Sequence, residues 1–419
     1  MKNAITDLLK MNSEEIVFWL LTLAIFVVPL SQVVSGVLVL SVIGVALVKR
    51  VPPAPQQSAA STEVTKITFL TKVLLLLSAV SLVFARDLFA SFYNYLYVVG
   101  QYVAFFILIN RYVTERSKLI ILMKVFFLAG LLTSIYGLYQ YANDLALIDA
   151  EWVDQQEFPE LKQRVFATLG NPNILGSFLV MLSSYCLAFI SVLGKNKIRY
   201  ALGLLTFIAA CCLVLTFSRG NWVSLFGVLV FFMCIFYRKA QLMLAVIAIM
   251  MAIGGWGLFY ERFLSIFSSG DTSVALRFAY LESALAIIRD NLLGVGWYGF
   301  MSVFHEYDFY LQNQAVPMYH SHNLFTNITA ELGLQGLSAF LLLIGYCVRS
   351  AWRLQKSTID PFYQGLARGY LLMILGVFIS GFTDHTLFNI QLGVLFWIFH
   401  ALLLQCLKNT ANSGIIDNR

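Results

Sequence analysis

The sequence predicts an all-α polytopic membrane protein of about twelve transmembrane helices, with short amphipathic helices in an outer-face loop. Three observations carry that prediction. Hydrophobic residues make up 59% of the chain and charged residues only 12%, about half the charged fraction of a water-soluble domain. Apolar runs of spanning length, roughly 20 residues each, recur along nearly the whole chain. The loops between them alternate between rich and poor in Lys and Arg, as cytoplasmic retention of positive charge requires when the spans are correctly placed.

In chain order the spans fall at about 16–30, 33–48, 67–84, 88–110, 119–141, 173–194, 200–217, 221–237, 240–259, 323–348, 364–383 and 386–407. The first two are short and hinge around Pro29, Ser31 and Gln32. No small-residue cleavage site follows the first, which therefore reads as an uncleaved signal anchor. Residues 51–65, rich in Pro, Ala, Gln and Ser, have the composition of a flexible cytoplasmic linker.

Two outer loops of any length remain, 142–172 and 260–322, and neither is large enough for a separate enzyme domain. Residues 1–419 thus read as a single integral membrane domain with both termini cytoplasmic. The six cysteines have no metal or disulfide spacing and read as apolar packing residues. No phosphate-binding Gly-rich loop, zinc signature or internal repeat is present. The net charge of +6 resides in cytoplasmic loops and gives no reason to expect nucleic acid.

Chemistry is therefore expected at the outer face. Proton-coupled transporters place ionisable groups in mid-membrane, whereas the later helices here carry them near their ends, apart from Glu331 about two turns into its helix. Seven of the 28 Lys and Arg residues fall on the outer side: Arg86, Lys162, Arg164, Arg219, Arg262, Arg277 and Arg289. Six are Arg, whose planar fork of donors suits phosphate.

Each has a bland competitor. Arg219, in Thr216-Phe-Ser-Arg-Gly-Asn221, sits where Gly220 gives the turn its freedom, and could equally snorkel to lipid headgroups. Arg164 precedes a Gly170-Asn-Pro172 loop with Asn173 as the expected N-cap; a helix start beside it favours anions, and pairing with nearby acids is the alternative. Arg277 lies on an amphipathic pattern whose apolar stripe is Phe278, Leu281, Leu285 and Ile288, while Arg277, Tyr280 and Ala284 occupy a neighbouring face that could be water-facing. Arg86 adjoins Asp87, so a local ion pair competes. Lys162, Arg262 and Arg289 read as structural.

The other signal is His320-Ser-His322-Asn323 before the span at 323. Histidine is the usual general base near neutral pH. Two His at i and i+2 do not share a helix face and no third ligand is evident, so a metal is the minority reading; an interfacial His with Asn323 as N-cap is the plain one.

Taken together, the Arg164-Val-Phe-Ala-Thr-Leu-Gly-Asn-Pro-Asn173 loop, the Ser-Arg-Gly turn, the Arg-bearing amphipathic segment ending Gly294-Val-Gly296, and His-Ser-His-Asn followed by Glu331-Leu-Gly resemble the O-antigen ligase, O-antigen polymerase and O-oligosaccharyltransferase superfamily, and the ligases most. The resemblance runs from about 164 to 400. It implies a glycosyltransferase of the bacterial inner membrane that moves a glycan from undecaprenyl diphosphate to an acceptor hydroxyl at the periplasmic face, lipid A core being the foremost acceptor. It further implies that His322 acts at the acceptor and that Arg164, Arg219, Arg277 and, more weakly, Arg86 bind the diphosphate. No role follows for His320, Asp384 or His385.

Several Arg can neutralise a diphosphate leaving group without a metal or other cofactor, and no Asp-x-Asp pair occupies an outer loop, so an inverting, metal-independent transfer is expected. A polymerase or a protein O-oligosaccharyltransferase shares the donor; the short tail after the last span favours the ligase, because the protein-glycosylating relatives carry extra C-terminal structure. A lipid-linked glycan flippase, the non-enzyme alternative, predicts a polar path through the helices that the sequence hardly offers.

Overall fold

The computed structural model describes residues 12–53, 61–145, 163–237, 272–309 and 318–412. Thirteen α-helices occur there: α1 (Ser13–Val27), α2 (Gln32–Val48), α3 (Thr62–Val80), α4 (Leu88–Tyr112), α5 (Arg116–Ala142), α6 (Pro172–Val192), α7 (Lys197–Val214), α8 (Arg219–Phe231), α9 (Thr272–Asp290), α10 (Phe300–Val303), α11 (Leu324–Ser357), α12 (Pro361–Gly381) and α13 (Ile390–Asn412). No β-strand is present among the described residues. The expected span 240–259 lies outside them, as do Lys162, Arg262 and parts of the loops 51–65, 142–172 and 260–322.

Among the described residues nine helices are long and apolar enough to cross a membrane. The expected short pair is α1, of 15 residues, and α2, of 17. The chain is an all-α, multi-pass membrane protein, the architecture that satisfies every backbone polar group without water.

Local chemistry sets the helix starts. Asn12 and Glu15 form a capping box at α1, and Asp360 before Pro361 caps α12. At α6 the cap is Asn171, not the expected Asn173. Asn171 is extended, its Oδ1 accepts from the backbone N–H of Asn173 and Ile174, and Pro172 takes the first helical position, where its missing N–H costs nothing.

Helices α6, α12 and α13 form the centre, largely buried, while α7 and α8 lie at the periphery. Tyr185 of α6 stacks on Phe399 of α13 at 4.1 Å between ring centroids, with Phe126 of α5 edge-on to both. At one end of the bundle Arg116 pairs with Asp360 at 2.6 Å and Arg353 with Glu63 at 2.7 Å.

The opposite end gathers the turns around 28–31, 81–87, 163–171, 215–218 and 382–389. The side chains of Thr168 and Gln391 donate to the carbonyls of Pro29 and Val28, and Val165 N–H donates to Leu215 O. Here α11 breaks at Gly333, whose φ of 73° is left-handed. Into the break runs the segment 292–296: Val295 N–H donates to Ala330 O, Gly296 N–H to Glu331 O, and Leu334 N–H to Leu292 O. Gly294 and Gly296 both have φ of 91°; a Cβ on Gly294 would collide with the Glu331 carbonyl, and one on Gly296 would lie 2.7 Å from Ala85 N.

Candidate active site

His322 directly precedes Asn323, the N-cap of α11. Its φ of 51° is left-handed, an uncommon conformation for a residue bearing a Cβ and one that gathers at functional sites. Ala167, Phe217 and Tyr298 share this conformation in neighbouring loops of the same end. Asn323 caps α11 as expected: its Oδ1 accepts from Phe325 and Thr326 N–H, and its amide donates to Phe382 O.

The imidazole of His322 is held on two sides. Its Nδ1 lies 3.3 Å from Asp384 Oδ1 in the turn between α12 and α13, and its ring stacks on Tyr280 of α9 at 5.4 Å. Hydrogen bonding to a carboxylate places the proton on Nδ1 and leaves Nε2 as the acceptor. Burial alone would raise the Asp384 carboxyl, but the His322 hydrogen bond and the charges of His322, His320 and Arg277 hold it well below the usual carboxylate range.

His320 Nδ1 accepts the His322 backbone N–H at 3.2 Å. Burial, then the His322 charge, pushes its imidazole down to about 4, so it is neutral at physiological pH. His385 is pushed down to about 3 by burial and by the neighbouring histidines. One donor atom each from His320, His322 and Asp384 lies within 4.8 Å of the other two. The structure thus supplies the third candidate metal ligand that the sequence did not suggest, although His322 Nδ1 and Asp384 Oδ1 already bond each other.

Two cavities meet at His322. One, of about 350 Å³, is lined by Arg219, Arg277, Ser321, His322, Asn323 and Thr383, with apolar neighbours from α8, α9 and α12. The other, of about 550 Å³, is lined by His320, His322, Glu331, Asp384, His385 and Thr386 on its polar side, and by Trp297, Tyr319 and Phe388 among its rings. Among the described lining residues the first cavity holds two Arg and no carboxylate, and the second two carboxylates and no Lys or Arg.

Arg219 and Arg277 therefore converge with His322 despite their distance in sequence. Arg219 is the first residue of α8, and the turn's left-handed residue is Phe217, not Gly220. Gly220 matters for closeness: a Cβ there would collide with Thr383 Oγ1. On α9 the expected apolar stripe divides, with Ile288 packed against the core and Leu281 lining the arginine cavity beside Arg277. Phe278 and Leu285 are exposed, while Ala284 and Ile287 are fully buried and Tyr280 packs inward. Arg277 is thus on the side of α9 that faces the protein, because in a membrane protein an apolar stripe is free to face lipid.

Arg164 and Arg86 line neither cavity. Arg164 is buried, donating from Nε to Thr216 O at 2.9 Å and from a terminal nitrogen to Asn173 Oδ1 at 3.0 Å. It braces the turn that presents Arg219. Arg86 is exposed and forms a two-pronged pair with Glu306, not with Asp87; Asp87 instead caps α4 through Ala90 N–H. The hydrogen bond from Arg86 and the Arg86 charge lower the Glu306 carboxyl. Arg289 is exposed.

Asp384 is the residue that sequence reasoning left without a role. It stands 62 positions from its partner, in a turn with no motif of its own, and its neighbour His385 was the only local sign of polar chemistry.

No curated protein matches the chain. Residues 204–341, which contain Arg219, Arg277, His322 and the α11 break, match the family model Wzy_C, described as O-Antigen ligase. Members of that family are glycosyltransferase-like enzymes acting on lipid-linked glycans in membranes. Over these residues the chain is similar to the O-antigen ligase and polymerase superfamily, which supports glycosyl transfer of that type.

Proposed function

We propose that the protein moves a glycan from undecaprenyl diphosphate to an acceptor hydroxyl at the periplasmic face of a bacterial inner membrane, by an inverting, metal-independent displacement. Ligation of O-antigen to lipid A core is the leading reaction. The observation that carries this reading is the meeting of Arg219, Arg277 and His322 on one cavity, with Asp384 behind His322.

In this mechanism the two guanidinium groups hold the diphosphate and neutralise the charge that grows as the bond from the anomeric carbon to the phosphate oxygen breaks. The acceptor oxygen attacks that carbon from the opposite side, which inverts its configuration. His322 Nε2 takes the acceptor's proton, and Asp384 stabilises the imidazolium so formed. Arg164 shapes the Arg219 turn and Arg86 tethers the loop at Glu306, so neither is assigned to the diphosphate.

The test is transfer by purified protein from an undecaprenyl-diphosphate glycan. His322→Ala should lower the rate by about 10²- to 10⁴-fold, and a chelator should leave it unchanged. Near-normal transfer by His322→Ala sinks the base assignment; loss of activity on chelation, restored by a divalent ion, would instead assign His320, His322 and Asp384 to a metal. Scrambling of the lipid donor without any transfer would make the protein a flippase. A deletion strain separates ligase from polymerase: unattached lipid-linked polymer marks loss of ligation, and single repeats on core mark loss of polymerisation.

A further inference from the structure

Three side chains beside the proposed base stand close enough to share a dication. One donor atom each from His320, His322 and Asp384 lies within 4.8 Å of the other two. A tetrahedral zinc ion with bonds of about 2.1 Å holds its ligand atoms about 3.4 Å apart, so the widest of these gaps has to close by at most about 1.4 Å. The two histidine rings already lie 4.4 Å apart between centroids. All three residues line the cavity of about 550 Å³, which gives an ion an entry path and leaves its fourth position to water.

The local chemistry suits such an ion. Ligand atoms must be unprotonated. Burial keeps His320 neutral, and although burial opposes it, the His322 hydrogen bond and the neighbouring charges keep Asp384 ionised. Asp384 Oδ1 also accepts the His385 backbone N–H at 2.8 Å, an outer hydrogen bond of the kind that orients a ligating carboxylate. Two imidazoles and one carboxylate form a donor set for zinc and its first-row neighbours, whereas magnesium and calcium select oxygen ligands. Arg277, whose charge reaches Asp384, opposes a second cation there and limits the affinity.

We infer that His320, His322 and Asp384 form an inhibitory zinc site, and that zinc bound there switches off His322 as a base. In the zinc-free protein His322 Nδ1 carries the ring proton and Nε2 is the acceptor. An ion that takes Nδ1 leaves the neutral ring's proton on Nε2, the atom that has to receive the acceptor's proton. An ion that takes Nε2 occupies that atom outright, and Nδ1 keeps its proton. Inhibition rests on the proposed role of His322; binding of zinc does not.

The experiment is zinc titration of the tag-free full chain in lipid nanodiscs, read by calorimetry and zinc-edge X-ray absorption, with transfer measured on the same samples. One zinc per chain should bind with a Kd below about 100 μM, through nitrogen and oxygen ligands at about 2.0–2.1 Å and no sulfur. Zinc at ten times its Kd should lower transfer about tenfold, magnesium at the same concentration should not, and a chelator should restore the full rate. His320→Asn, whose amide oxygen can still accept the His322 N–H, should transfer at the wild-type rate and bind zinc at least about tenfold more weakly. Asp384→Asn, read for binding alone, should also lose the site, and keeps the test available if the His320 variant does not fold. The inference is overturned if no zinc binds, if its ligands include sulfur, if folded His320 and Asp384 variants bind it as wild type does, or if bound zinc leaves transfer unchanged while His322→Ala abolishes it. Near-normal transfer by His322→Ala instead removes the base assignment and the inhibition with it, and the zinc site then stands or falls on binding.

Discussion

The two cavities sharing His322 are close in position and opposite in chemistry. One presents Arg219 and Arg277 without a carboxylate, the other Glu331 and Asp384 without a base stronger than histidine. On the proposed reading the diphosphate is held in the first. Placing the imidazole between them lets one group act at the point where donor and acceptor must touch.

The sharpest way to break this comparison is to remove the positive side. Arg219→Ala or Arg277→Ala should each lower the transfer rate by about 10²- to 10³-fold, the usual cost of losing one group that stabilises developing negative charge. Steady-state kinetics with varied donor and acceptor should place the defect on the donor. A defect confined to acceptor KM would exchange the two cavities.

A smaller effect, of a different kind, is expected at Arg164. Its hydrogen bonds to Thr216 O and Asn173 are buried, so Arg164→Ala should cost about 1.5–3 kcal/mol of stability, measured as a lower unfolding midpoint in detergent. If stability were unchanged and donor KM rose sharply, Arg164 would belong with the diphosphate after all.

Acid should weaken the histidine-rich cavity first. Burial holds His320 at about 4 and His385 at about 3 in the folded protein, against an ordinary value of 6.5. Below 6.5 the unfolded chain takes up protons that the folded chain refuses, so stability should fall as pH drops from 6.5 towards 4 and the histidine contribution should level off below 3. Asp384 acts in a lower window. Its folded carboxyl is depressed, so its contribution is present above about 4 and is lost as pH falls further. Unfolding midpoints across pH 3 to 8 for the wild type and His385→Asn test this, the variant losing part of the slope above pH 4. The smallest effect is at Arg86, whose exposed pair with Glu306 should be dispensable: Arg86→Ala should leave both transfer and unfolding unchanged within error.

Much of this arrangement was legible in the chain because membrane spans are read from composition and loop charge, both of which are local. The cap at Asn323 could be read in the same way. The face of α9 could not: Phe278 and Leu285 follow the period of a buried stripe, yet they are exposed, because apolarity in a membrane protein does not tell lipid from core. Nor could Asp384 be assigned, since only the packing of α12 against α11 brings it to His322. The arginines were recognisable as a group by their sidedness, but the division into Arg219 and Arg277 at a cavity and Arg164 and Arg86 in bracing contacts depends on which carbonyls and carboxylates the fold brings near.

The insertion of residues 292–296 into the broken α11 has a consequence for what the site can measure. Helix α9, which carries Arg277 in its second turn, ends at Asp290, just before the segment tied by main-chain hydrogen bonds to α11, and α11 begins two residues after His322. The main chains that carry the two side chains are thereby joined through one hydrogen-bonded segment. On the proposed reading such a frame holds the span that every glycosyl diphosphate has in common, from phosphate to reacting carbon.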